Sequence, residues 1–164
     1  IDKLTPTAIN NSSTKLVSTD SVLFVVRSGI LRRTLPVALT TCDVTLNQDM
    51  QAFTPRKVLA EYVYWYIKAK NEDIRRECSK DGTTVESIES TLLKNYFLPV
   101  ATFAEQRNIV QAIESCLSMA DKSEESISQS LQQAEALRQS ILKKAFEGKL
   151  LNGMLVTNQM PKNT

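Results

Sequence analysis

Histidine is absent from all 164 residues, and that removes the imidazole on which Ser-His-Asp and Cys-His nucleophilic sites depend, together with the histidine-bearing zinc sites. The four glycines form neither a G-x-G-x-x-G nor a G-x-x-x-x-G-K arrangement, so no glycine-rich loop cradles a nucleotide phosphate. Three cysteines, Cys42, Cys78 and Cys116, are odd in number and widely spaced. That pattern favours neither a disulfide framework nor a CxxC metal site, and buried thiols in a reducing cytosol are the expectation. No apolar run reaches the 18 or more residues of a membrane span, and the amino terminus lacks a charged-then-apolar leader. A chain beginning at Ile1 is expected to be a fragment or a processed product. The carboxylate pairs Glu86 with Glu89 and Glu124 with Glu125 fall where exposed helical faces put them, so no acid–base dyad is expected. A formal charge of +2 identifies no partner by itself. These absences together describe a binding chain, with any catalysis supplied by other subunits.

What the chain has is a long uninterrupted helical stretch. Thr102 and Glu105 form a capping box, in which the threonine oxygen takes one orphan N–H and the glutamate reaches back to another. No proline or glycine follows until Gly148, which stands where a left-handed C′ residue ends a helix. About 45 residues at 1.5 Å each span roughly 65–70 Å, far more than an ordinary domain helix. Ile109, Ile113, Cys116, Ala120, Ser123 and Ile127 step by 4, 3, 4, 3 and 4, and Ala134, Leu137 and Ile141 resume the alternation, as a coiled-coil seam requires. Ser130 falls on the seam with Leu131 beside it, so the register blurs there. The small residues allow close backbone approach with modest apolar burial. Leu142, Ala145 and Phe146 widen the apolar face near the end. Packing of the whole helix on its own domain is the plainer alternative, and the length argues against it.

The preceding hundred residues read differently. Residues 1–20, rich in Ser, Thr and Asn, are expected to be irregular. Val22 to Arg27 is a β-branched apolar run bounded by Asp20 and Ser28-Gly29, which predicts a buried strand and a turn. Short strands are expected at Leu35–Leu39, Asp43–Leu46 and Met50–Phe53, giving a small curved sheet. Thr54 and Pro55 predict a helix start, with the threonine as N-cap and the proline at the first helical position. Val58, Leu59, Tyr62, Val63 and Tyr66 follow at helical spacing through about Ala69. One or two helical turns are expected within Asn71–Lys80, a turn at Asp81-Gly82-Thr83-Thr84, and a final strand at Tyr96–Pro99. The fold class is therefore α+β, a small mixed-sheet domain over 1–100, one long coiled-coil-forming helix over 101–148, and a frayed tail over 149–164. Basic residues gather around the turns and the first helix, at Arg27, Arg32, Arg33, Arg56, Lys57, Lys68, Lys70, Arg75 and Arg76, a distribution compatible with a polyanion or with a solvated surface.

This order of features resembles the carboxyl-terminal half of the specificity subunit of type I restriction-modification enzymes, a target recognition domain followed by a spacer helix. The residues that carry the resemblance are Gly82-Thr83-Thr84 with Val85 and Ile88, then Leu98-Pro99 and Ala104-Glu105-Gln106-Arg107-Asn108-Ile109-Val110. The most specific block runs from Leu137-Arg138-Gln139-Ser140-Ile141-Leu142 through Lys143-Lys144-Ala145-Phe146-Glu147-Gly148-Lys149-Leu150, and the likeness covers about residues 15–151. Val100-Ala101-Thr102-Phe103 replaces a more proline-rich approach to the helix. A full subunit of the family has two recognition domains and two spacer helices, and this chain has room for one of each.

The resemblance implies a non-catalytic cytoplasmic subunit that reads one half of a split site in double-stranded DNA. Antiparallel spacer helices would act as a ruler between the halves, about 3.4 Å of rod matching each base pair. The second helix would come from a missing half or from a copy of this chain. Methyltransferase subunits would dock on it with the S-adenosylmethionine chemistry, and a motor-nuclease subunit would cut unmodified DNA, so S-adenosylmethionine, ATP and Mg are expected on those partners and no cofactor here. In the recognition domain the turns between strands are expected to meet DNA. Arg32 and Arg33 suit guanine edges or phosphates; Asn47 and Gln48 suit adenine, although Asn47 equally suits a turn; Lys57, Thr83 and Thr84 suit phosphates. Helix pairing is assigned to Ile109, Ile113, Cys116, Ala120, Ile127, Ala134, Leu137 and Ile141. Two other readings fit the same residues: a free-standing dimeric DNA-binding regulator, and a coiled-coil adaptor that binds protein alone.

Overall fold

A computed structural model describes residues 5–12, 14–80 and 86–150. The chain divides into two compact units, Ile1–Ile113 and Glu114–Thr164. The elements run α1 (Pro6–Asn10), β1 (Leu16–Val17), β2 (Val22–Val25), a 3₁₀ turn (Gly29–Arg32), β3 (Val37–Leu39), β4 (Val44–Thr45), β5 (Met50–Phe53), α2 (Ala60–Ala69), α3 (Asn71–Cys78), α4 (Ser90–Lys94) and α5 (Phe103–Phe146). The fold is α+β, with small antiparallel sheets and one long carboxyl-terminal helix.

In the first unit β2 is the central strand of a β3-β2-β5 sheet, and its apolar run is buried from Val22 to Phe24 and again at Val26. A strand buried on both faces needs no polar alternation, which is why this segment reads as continuous Val, Leu and Phe. Phe24 pairs with Val37 and Val25 with Met50, while Val22 pairs with Leu39 and Phe53 at the other end. The helix α2 lies against β3 and β2, and its Val63 joins Val22, Phe24, Leu31, Leu35, Ile74 and Cys78 in the core. Burying such side chains is worth on the order of 1.5–3 kcal/mol each before chain entropy is counted.

Several expectations need correction. The residues before β2 are not wholly irregular, since they hold α1 and β1, the latter paired with β4. The strand expected from Leu35 starts at Val37, because the Leu35 N–H and C=O are both taken by the amide of Asn71 at 2.8 and 2.6 Å. The helix expected to start at Pro55 starts at Ala60. Thr54 does not cap it; the Thr54 hydroxyl lies 2.7 Å from that of Ser21, and the N–H of Leu59 at the N-cap is taken by Gln106 at 2.9 Å. A cap supplied from 47 residues away leaves no local signature. Finally, Tyr96–Pro99 makes no strand ladder. Its carbonyls accept instead from α2 side chains, Pro99 from the Tyr62 hydroxyl at 2.9 Å and Phe97 from the Tyr66 hydroxyl at 3.0 Å. The cysteine expectation holds only for Cys78, because Cys42 and Cys116 are exposed.

The second unit is helix from Glu114 to Phe146, and every residue of it from Glu114 through Leu150 is exposed. No helix among the described residues is long and apolar enough to cross a membrane.

Candidate nucleic-acid interface and helix seam

Strand register decides which loops meet. The antiparallel pairing of β2 puts residues 26–36, which leave β2 for β3, at the same end of the sheet as the Asn47–Asp49 turn that leads into β5. Asp49 binds that end together, its carbonyl accepting from Val26 at 2.8 Å and Arg27 at 3.4 Å. Ser28 N–H reaches Glu86 O at 3.1 Å, and Arg27 bridges to Ser87, so the chain re-entering at Glu86 joins the same cluster. Arg32, Arg33, Asn47 and Gln48 therefore sit on neighbouring loops. Lys57 does not, because it follows Phe53, the partner of Val22 at the opposite end of β2. Thr83 and Thr84, with Gly82, lie outside the described residues.

The loop carrying the two arginines is held from below. Leu31 and Leu35 are buried, leaving Arg32, Arg33 and Thr34 exposed between them. From α3 the guanidinium of Arg75 donates to three successive carbonyls: Leu31 at 2.7 Å, Arg32 at 2.6 Å and Arg33 at 2.8 Å. One turn earlier on α3 is Asn71, holding Leu35 at both backbone groups. Arg32 faces Glu86 at 3.5 Å with its own side chain 68% exposed, a contact worth little in water and easily exchanged. Arg33 makes no ion pair among the described residues. Beside this loop a groove of about 480 Å³ is lined by Arg32, Arg75, Arg76, Glu72, Glu86 and Ser79 among others. Its charges are of both signs, and Arg76 is already engaged by Asp73 and Glu77. Asn47 serves the turn itself, its side-chain oxygen accepting from Asp49 N–H at 3.1 Å; Gln48 is exposed. No cluster of described residues fits a metal ion.

The start of α5 is a capping box in full. Glu105 N–H donates to the Thr102 hydroxyl oxygen at 3.3 Å, and the Glu105 carboxylate accepts from Thr102 N–H at 2.9 Å and from its hydroxyl at 2.8 Å. The Thr102 backbone N–H, then its hydroxyl, hold the Glu105 carboxyl below the ordinary carboxylate range. Gln106 is wholly buried, yet both ends of its amide are satisfied, by Leu59 N–H and by Ala101 O at 2.7 Å. Gln106, Val110 and half-buried Ile113 recur on one stripe that packs within the first unit. At the far end Gly148 has φ of 68°, and the Lys149 N–H to Lys144 O bond at 2.8 Å with Gly148 N–H to Ala145 O at 3.1 Å makes a Schellman motif. Between these caps the seam residues Ile109, Cys116, Ala120, Ile127, Ala134, Leu137 and Ile141 are exposed, Ile127 by 69%.

The sequence profile of the type I restriction modification DNA specificity domain matches residues 2–133. The chain belongs to that family. Among its relatives, the EcoR124I/EcoR124II specificity subunit of Escherichia coli is 41% identical over 114 residues, 69% of this chain and 28% of the relative. The EcoBI specificity subunit of Escherichia coli is 28% identical over 130 residues, 76% of this chain and 25% of the relative. This specificity domain thus spans under a third of either relative's length. Sequence reasoning missed the supporting roles of Arg75, Asn71 and Gln106, reading Arg75 as one of the scattered basic residues, Asn71 as the start of a short helical stretch and Gln106 as part of the block that carries the family resemblance. For Gln106 the local signal was its place directly after the capping-box glutamate; for Asn71 and Arg75 it was their spacing of four on one helix, and neither names a partner.

Proposed function

We propose that this chain is the address component of a type I restriction-modification complex in the cytoplasm. Its first unit reads one half of a bipartite site in duplex DNA, and α5 pairs with a second spacer helix, from another part of a longer subunit or from a copy of the chain, to set the gap between halves. Methyltransferase subunits dock on it, and they and a motor-nuclease subunit carry S-adenosylmethionine, ATP and Mg. The observation that carries this reading is α5 itself. Its long exposed portion is capped at the end, and Ile127, Leu137 and Ile141 stand exposed along it, with Leu131 beside them and Phe146 widening the face near the end. They leave an apolar seam that a helix of this length needs a partner to cover. Family membership supports DNA as the target, and the exposed Arg32–Arg33 loop supports its place. Phe97, Val100 and Phe103, exposed around the start of α5, support a protein contact there.

Affinity for duplex DNA measured across salt tests the reading. Phosphate contacts by several arginines and lysines require a steep loss as salt rises, and a flat response removes the DNA role in favour of a protein-only adaptor. Copurification with methyltransferase subunits is the second arm; a free dimer that occupies a promoter and binds no methyltransferase would make the chain a regulator instead.

A further inference from the structure

We infer that α3 is a clamp that presets the DNA-reading loop, with Arg75 and Asn71 as positioning residues for Arg32 and Arg33. The inference rests on the DNA-reading role proposed above and assigns that role its rigid support. Three observations combine. The Arg75 fork spends its donors on three consecutive carbonyls of the loop and makes no ion pair among the described residues. A guanidinium can satisfy such a set because its N–H groups diverge in one plane, whereas an ammonium presents a single point. Asn71, four residues earlier, closes the other end of the same segment through Leu35, and its Oδ1 also accepts from the Thr34 hydroxyl at 3.3 Å.

The clamp is itself anchored. Ile74 and Cys78 on α3 are each 1% exposed and belong to the same core as Leu31 and Leu35. The loop backbone is therefore fixed to a helix anchored in the core by two buried side chains, while three loop side chains, Arg32, Arg33 and Thr34, stay exposed. Preorganisation of this kind matters for discrimination, since a bidentate arginine separates bases only while its root is held in place. It matters little for general attraction to phosphate, which depends on charge. The two effects are separable.

The test uses the full chain with two probes: a duplex enriched by the wild-type chain from a random-sequence library, and a scrambled duplex of the same length. Arg75→Lys keeps the charge and removes the fork. The expected result is a drop of about tenfold in the ratio of the two affinities, with the salt slope of scrambled-duplex binding and the melting temperature close to wild type. Asn71→Ala is expected to lower the ratio in the same direction, and amide hydrogen exchange across residues 31–35 to quicken in both variants without DNA. In Arg75→Gly, millimolar guanidinium should restore the ratio where sodium chloride at equal ionic strength does not. An unchanged ratio in both variants, a salt slope reduced by about one phosphate's worth, or unfolding of both variants would overturn the clamp while leaving DNA reading intact. A wild-type chain that enriches no sequence would instead overturn the reading beneath it, and the clamp with it.

Discussion

The two units of this chain solve the burial problem in opposite ways. Residues up to Ile113 enclose their own core, with Val22, Leu35, Ile74 and Cys78 nearly inaccessible. Residues from Glu114 through Leu150 are all exposed, although Ile127, Leu131, Leu137 and Ile141 are as apolar as anything in that core. Hydrophobicity alone therefore does not locate the interior; what distinguishes the two is whether the chain folds back to cover the apolar face. In the first unit, sheet pairing and α2 do so. In the second, one helical element has no second layer of its own among the described residues, and its apolar residues are free for another chain segment.

The largest effects should fall on opposite properties. Ile74→Asp puts an unpaired charge into the closed core, and loss of cooperative thermal unfolding is the expected result. Ile127→Asp with Ile141→Asp should leave the melting of the first unit untouched and abolish helix pairing, seen as a fall in sedimentation coefficient or as absence of the partner half. Ile113 is a poorer probe than these two because it is half-buried within the first unit. Exposed Cys116 adds a chemical readout, since a thiol reagent should label it in the unpaired chain and label it slowly once the seam is covered. Pairing that survives both aspartates would take the seam off this face.

A change at the joint of domain and helix should cost less than the core aspartate. Gln106→Leu keeps roughly the same side-chain size but deprives Leu59 N–H and Ala101 C=O of their partner. An unpaired buried group costs about 1–3 kcal/mol, so urea unfolding of the first unit should shift to lower denaturant by an amount in that range. An unchanged midpoint would mean that water replaces the amide. This residue also marks the limit of what the sequence reveals. The strands Val22–Val25 and Met50–Phe53 and both caps of α5 were legible because each is specified by neighbours in sequence. The start of α2 was not, because its cap comes from Gln106, nor was the lack of a strand at Tyr96–Pro99, because Tyr62 and Tyr66 take the place of a ladder. Of the candidate DNA-facing residues, the exposure of the Arg32–Arg33 pair followed from its place after Ser28-Gly29, while the separation of Lys57 from that pair depends on strand register.

The arginine loop should respond in function and hardly at all in stability. Arg32 and Arg33 are exposed, and the loop is fixed through backbone carbonyls that remain after truncation. Arg32→Ala with Arg33→Ala is therefore expected to weaken duplex binding by roughly 1–3 kcal/mol for each base that is no longer read, with the melting temperature nearly unchanged. Equal falls in binding and in melting temperature would assign the pair to the fold.

The smallest effect should come from the capping box, and pH isolates it. The fold holds the Glu105 carboxyl below its ordinary value of 4.5 through the Thr102 N–H and hydroxyl, so the folded state prefers the charged form. The contribution is then complete above the unfolded value and vanishes as pH falls through the lower folded one. Acidification below pH 4.5 should loosen the first turn of α5, with faster exchange of the Thr102 and Glu105 amides, and Glu105→Gln should flatten that dependence. The mid-helix amides of the second unit provide the internal control, because no capping side chain reaches them and their protection should not follow the Glu105 titration. Should the amides around Ile127 loosen with the same midpoint as Thr102, α5 would be melting as a whole, and the contrast between an anchored start and an independent seam would fail at the one place where the two units share a helix.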